Sequence, residues 1–263
     1  MPEYEKFLYR PNATLPAEHL TILEKGNDLS EKEVLAHAEK NQLLEDGYLK
    51  GENGFYHAKD GSVYVAVRTP MPNVSIEMID WWFWWHPAEA LRYQIWYPEM
   101  HFDARADFGG HYDNNTKSYR ERLHLSTHYV TEDIGTGREE LIIDFMSPKA
   151  FGFNPNLLRY STEQTILCTR VGLPAKGVWF TDMCHEVRKT GKGVEMRSRF
   201  WIGRDIRRMG GLAQGFLNAL LNKPFVKKQL IPKDIGKHMF QHCSQEYHNL
   251  ALLLPEIYPE EGP

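Results

Sequence analysis

Apolar and polar positions change period several times along the chain, and each change predicts an element. Up to about residue 50 the spacing is helical, and LPAEHLTILEKG predicts a helix ended by Gly26, a residue suited to a left-handed cap. Ser30 and Glu33 form an S-x-x-E pattern that predicts a second helix start. From Phe55 the period becomes two, and FYHA and SVYVAVR around Lys59-Asp60-Gly61 predict a hairpin whose second strand ends at Pro70 and Pro72. Ser75 is placed to cap a helix through IEMIDWWFWWH. Pro87 interrupts that helix, and AEALRYQIWY resumes it as far as Pro98.

After His101 the pattern reads as strands over 118–131, 139–146, 162–171, 177–188 and 194–202, with glycine-containing turns at 135–137 and 190–193. A long amphipathic helix over 232–254 closes the chain. A strand, two short helices, an antiparallel meander and a terminal helix make the helix-grip order: an α+β domain whose curved sheet wraps its last helix. The division expected is a helical N-terminal region over 1–54, covering the main domain or pairing with a second subunit, and a helix-grip domain over 55–263.

With 263 residues and 42% hydrophobic content, the chain has enough apolar surface for one large domain with a small appendage. Cys168, Cys184 and Cys243 lack CxxC spacing, so neither a disulfide framework nor a thiolate zinc site is expected, and a reducing, cytoplasmic setting fits. A net charge of -4 with interspersed signs argues against nucleic acid as partner, and Arg204, Arg207 and Arg208 are expected to form a solvated patch. No run approaches the roughly 18 apolar residues of a membrane span, so no membrane partner is expected.

Candidate chemistry gathers on the last helix, where His238, His242 and Glu246 recur at four-residue steps on one face. His242 and Glu246 present an imidazole and a carboxylate one turn apart, half of a divalent metal site. His101 and Glu132 suit the other half, giving a His2Glu2 set compatible with zinc. Spacing leaves rivals open: His124, His128 and Glu132 alternate onto one strand face, and His86, His111, His185 and His238 are unassigned. Two histidines and one carboxylate around iron would instead imply oxygen chemistry. The aromatic run Trp81 to Trp85 reads mainly as core or subunit interface, and Tyr93, Trp96 and Tyr97 as an aromatic wall beside it.

The run WWFWWHPAEALRYQIWYPEMH, the isolated Glu132, the later CHE containing His185 and the helix motif HCSQE together resemble the phloretin hydrolase and diacetylphloroglucinol hydrolase family, over about residues 62–254. The resemblance implies a Bet v 1-like helix-grip domain and a homodimer. It also implies one Zn2+ per subunit held by His101, Glu132, His242 and Glu246, and hydrolysis of the carbon–carbon bond joining an acyl group to a phloroglucinol ring. Tyr93 and His185 match the residues the family uses to hold the ring, and Glu132 or Glu246 is the expected base. One departure stands out. Diacetylphloroglucinol hydrolases have asparagine three residues beyond the first histidine ligand, where this chain has Ala104 after Asp103, which favours a phloretin-type aromatic ketone as substrate. A helix-grip binder of aromatic ligands without catalysis is the competing class.

Overall fold

The computed structural model describes residues 2–26, 29–159, 163–211 and 214–263. Its centre is an eight-stranded antiparallel sheet of β1 (Gly54–His57), β2 (Val63–Pro72), β3 (His101–Asp107), β4 (Thr127–Asp133), β5 (Arg138–Met146), β6 (Gln164–Leu173), β7 (Val178–Thr190) and β8 (Gly193–Arg208). The spatial order is β1-β2-β8-β7-β6-β5-β4-β3, so the chain returns from β8 to pair with β2. The helices are α1 (Ala17–Lys25), α2 (Ile76–Trp85), α3 (Ala90–Gln94), α4 (Tyr119–Leu123), α5 (Pro148–Phe151), α6 (Gln214–Leu221), α7 (Pro224–Leu230) and α8 (Ile235–Glu261). No helix among the described residues is long and apolar enough to cross a membrane.

Both sheet faces are covered, which is why VYVAV in β2 is apolar at every position. Val63, Val65 and Val67 turn inward and pack in one cluster with Phe240, Cys243, Tyr247 and Leu250 of α8. Tyr64 and Ala66 turn outward, beneath Leu35, Leu43, Leu44 and Phe151. The sheet therefore grips α8 on one face and is roofed on the other by the segment before β1 and by α5. This is the expected α+β, Bet v 1-like helix-grip architecture.

Several local expectations shift. The second strand does not stop at Pro70 but runs through Pro72, paired with β8 on one side only once β1 has ended opposite Ala66. The Arg68 N–H points to that free side, where Asn53 Oδ1 accepts it at 2.7 Å, so the alternating positions 70 and 72 can be prolines without losing a ladder bond. The strand expected over 118–131 begins instead as α4, because Ser118 and Glu121 form a capping box, and strand geometry starts at Thr127. The strand expected from Thr162 starts at Gln164 within the described residues, Thr162 itself lying outside them. Strand β3 was not anticipated. The pattern at Ser30 and Glu33 is a capping box, but it opens a short 3-10 turn rather than an α-helix.

Two predicted boundaries stand as expected: Gly26 ends α1 with φ of 62°, and Ser75 Oγ accepts the Met78 N–H at 3.2 Å to start α2. The last helix continues past 254 through Pro255 and Pro259 to Glu261. Tertiary contacts support that extension: Ile257 is fully buried, Tyr258 sets its ring edge-on to Trp81, and Lys6 binds Glu260 at 2.8 Å.

Candidate functional site

Strand register and helix spacing bring four distant donors together. His101 opens β3 directly opposite Glu132, near the end of β4. His242 and Glu246 project from one face of α8 toward that pair. One ligand atom each from His101, Glu132 and His242 lie within 4.8 Å of one another, and Glu246 Oε2 is 3.7 Å from His101 Nε2 and 3.8 Å from His242 Nε2. His238, one turn earlier, leaves the group and packs against Gly135, whose missing side chain makes room for its ring. The face-sharing trio anticipated on α8 thus contributes two members.

The electrostatics suit a cation. The His101 Nδ1–H donates to the Tyr93 carbonyl at 3.2 Å, which turns the bare Nε2 toward the cluster. His101 Nε2 and both ring nitrogens of His242 are buried with no hydrogen-bond partner. Burial holds His101 well below the usual histidine range, with His242 adding to the effect, and takes His242 down to about 4, so both rings are neutral. Burial raises the Glu132 carboxyl to about 7, although the Tyr93 hydroxyl bonded to it pulls the other way. Glu246 is raised well above the carboxylate range by burial and then by Glu132. Two orphaned imidazoles beside two carboxyls are costly in a dry interior unless something positive sits between them. The donor set fits a divalent metal ion, and its nitrogen and oxygen composition fits zinc.

Beside these donors lies a cavity of about 90 Å³. Of the α2 aromatics only Phe83 lines it; Trp81, Trp82 and Trp85 belong to the core, and Trp84 stacks on Tyr112. Tyr93 and Trp96 add an aromatic wall, whereas Tyr97, expected to share it, is outside the lining and packs 5.4 Å from His242 between ring centres. His185, on β7, also lines the cavity, held at Nδ1 by Ser198 Oγ at 2.8 Å and at Nε2 by the Tyr247 hydroxyl at 3.1 Å. A second hollow of about 270 Å³ shares Glu132, Leu141, Val171, Thr181 and Met239 with the first and is otherwise largely apolar.

Among the rivals left open by spacing, His128 and Glu132 share the inward face of β4, whereas His124 sits beyond the end of α4 and off the strand. Asp103 and Arg105 line a separate surface depression. Arg204 and Arg207 are paired with Asp182 and Asp205, so the basic cluster is largely neutralised. Tyr247 is a polar cavity residue that sequence reasoning missed; its place one step after Glu246 on a buried helix was the available signal.

The sequence model of the DAPG hydrolase PhiG domain matches residues 35–259 of the chain. A phloretin hydrolase of Eubacterium ramulus is 32% identical, over 98% of this chain and 90% of that protein. A 2,4-diacetylphloroglucinol hydrolase of Pseudomonas protegens is 27% identical, over 98% of this chain and 84% of the relative.

Proposed function

The chain belongs to the DAPG hydrolase PhiG domain family, and we propose that it hydrolyses the carbon–carbon bond between an acyl group and a phloroglucinol ring, with a phloretin-type ketone preferred over diacetylphloroglucinol. The observation that carries this reading is the convergence of His101, Glu132, His242 and Glu246 at the wall of an aromatic-lined cavity. In this reading these four residues hold one Zn2+ per subunit, and residues 1–54 cover the catalytic unit formed by 55–263. The protein is a cytoplasmic homodimer with no nucleic-acid or membrane partner.

Zinc, when bound, supplies Lewis acidity that polarises an acyl oxygen and makes water easier to deprotonate. The remaining work falls to side chains. An acylated ring resists cleavage because its carbon must depart with the bonding electron pair. A phloroglucinol ring in its keto tautomer can spread that pair onto ring oxygens, so groups that stabilise those oxygens lower the barrier. Tyr93, whose O–H bonds to Glu132, is placed to relay a proton between a ring oxygen and that carboxylate. His185, whose two ring nitrogens are taken by Ser198 and Tyr247, acts on the ring through the Tyr247 hydroxyl and not directly.

Glu132, bonded to the Tyr93 hydroxyl beside the donor cluster, accepts the proton of the attacking water. Glu246 stands beside it as the alternative base. Hydroxide adds to the acyl carbon, the bond to the ring breaks, the pair moves onto the ring, and the retained proton returns to the ring carbon. The products are a carboxylic acid and the free phloroglucinol. The acyl substituent has room in the second hollow, among Phe180, Ile202, Leu230 and Ile235.

Incubating the zinc-loaded protein with phloretin and with diacetylphloroglucinol, and identifying the products by mass spectrometry, tests the reading. Release of phloroglucinol and 3-(4-hydroxyphenyl)propionate is expected from phloretin, at a higher rate than deacylation of the second compound. Dioxygen consumption with ring-oxidised products would indicate iron chemistry instead, and unchanged substrates would indicate a binder.

A further inference from the structure

At the end of the cavity formed by α2 and β4, two histidines outside the donor set line the wall, and their hydrogen bonds fix which ring nitrogen carries the proton. The His86 contact to the Trp82 carbonyl, at 2.8 Å, must be donated by Nδ1–H because a carbonyl only accepts, so Nε2 is bare. The Ser126 hydroxyl spends its one proton on the Leu123 carbonyl at 2.8 Å. Its 3.1 Å contact with His128 is therefore donated by the histidine Nε2–H, and Nδ1 of His128 is bare. Both histidines border the cavity, 5.8 Å apart between ring centres, and neither bare nitrogen has a protein partner among the described residues.

Both rings stay neutral. Burial lowers His86 to about 3, against the Trp82 carbonyl and with Arg92 adding, and burial holds His128 well below the ordinary range, with His86 adding. Phe145 lies 4.5 Å from His128 between ring centres and Phe83 flanks His86 edge-on at 5.5 Å, while Tyr93 and Trp96, which also pack on His86, give their O–H and N–H to Glu132 and to the Glu246 carbonyl. A stretch of cavity wall with two bare acceptors, aromatic rings and neighbouring donors already committed selects a flat ring carrying hydroxyl donors. At these two ring positions it disfavours carboxylates and ethers, whose lone pairs would face bare nitrogens.

We propose that His86 Nε2 and His128 Nδ1 are the acceptors that recognise ring hydroxyls, so that these two histidines set the requirement for a polyhydroxylated ring. The inference rests on the functional reading above and deepens it. The metal-side residues handle the acyl carbon and the leaving pair, while the histidine pair selects the ring. Neither histidine moves a proton in the reaction, so their loss falls on affinity and selectivity before turnover.

The test is a calorimetric titration of the full-length, zinc-loaded protein with phloroglucinol, resorcinol and phenol, alongside phloretin cleavage. The wild type is expected to lose affinity with each hydroxyl removed. His128→Phe keeps the aromatic contact with Phe145 and removes the acceptor, and should compress the phloroglucinol-to-resorcinol ratio by about tenfold. His128→Asn, which restores an amide oxygen near the Nδ1 position, should recover part of that ratio, a rescue that a purely structural role would not give. His86→Phe should compress the ratio in the same sense. Cleavage with equal affinity for all three wild-type ligands, or full discrimination kept by both phenylalanine variants, overturns this inference alone. Graded binding without cleavage supports the acceptor pair and removes the hydrolase reading.

Discussion

Tyr93→Phe separates chemistry from assembly at this site. The Tyr93 ring is buried and stacks on His101 with 3.9 Å between centres and an interplanar angle of 2°. Phenylalanine preserves that stack, and with it the orientation of the histidine, while deleting only the hydroxyl that bonds to Glu132. A hydrogen bond to a group that carries charge contributes about 1.5–3 kcal/mol. If that amount is lost from the transition state, the turnover number falls by roughly tenfold to a hundredfold. Steady-state kinetics with phloretin give the rate, and elemental analysis of the same sample gives the metal. The expected result is a reduced kcat with zinc still close to one per chain. A variant within twofold of wild-type kcat would refute the relay assigned to this hydroxyl, and a variant that had lost zinc would show that the hydroxyl assembles the site.

Other consequences concern stability. Burial raises the Glu52 carboxyl, but hydrogen bonds from Arg197 and the charges of Arg199 and Arg197 outweigh it and hold the group at about 2. A carboxylate lowered in the folded state stabilises above its unfolded pKa and loses that contribution as pH falls through the folded value. Glu52→Gln should therefore cost on the order of 3 kcal/mol at pH 7, with the gap to wild type closing as acid approaches about pH 2; urea midpoints across that range check it, and a gap independent of pH would count against the ion cluster. Phe240 is fully buried on α8, with its ring 5.3 Å from His19 and 6.4 Å from Phe55. Phe240→Ala should destabilise by about 3–5 kcal/mol in equilibrium unfolding, and a loss below about 1 kcal/mol would mean the helix is not gripped as described.

Much of the fold was legible because its signals are local. The capping serine before α2, the glycine after α1 and the apolar run of β2 each depend on a few neighbouring residues. The terminal helix was legible from its spacing, but its end was not: Pro255 reads as a stop, and only contacts with Trp81 and the first residues of the chain carry the helix on to Glu261. At β4 a capping box was hidden inside an apparently continuous strand pattern, so 118–126 was misread.

The site divides in the same way. His242 and Glu246 follow from helical periodicity alone. His101 and Glu132 are adjacent only through the β3–β4 register, and the choice of these two among many histidines and acidic residues came from resemblance to a family rather than from spacing. The protonation states of His86 and His128 could not be read from sequence at all, since they depend on a carbonyl one helical turn away and on a serine whose proton is already committed.

Metal binding by the four converging donors decides what this site can do. Elemental analysis of the purified wild type and of His242→Ala, each exposed to zinc and then dialysed, measures this most directly. One zinc per chain in the wild type and little in the folded variant is the expected result. A His242→Ala protein that keeps stoichiometric zinc would contradict the assignment.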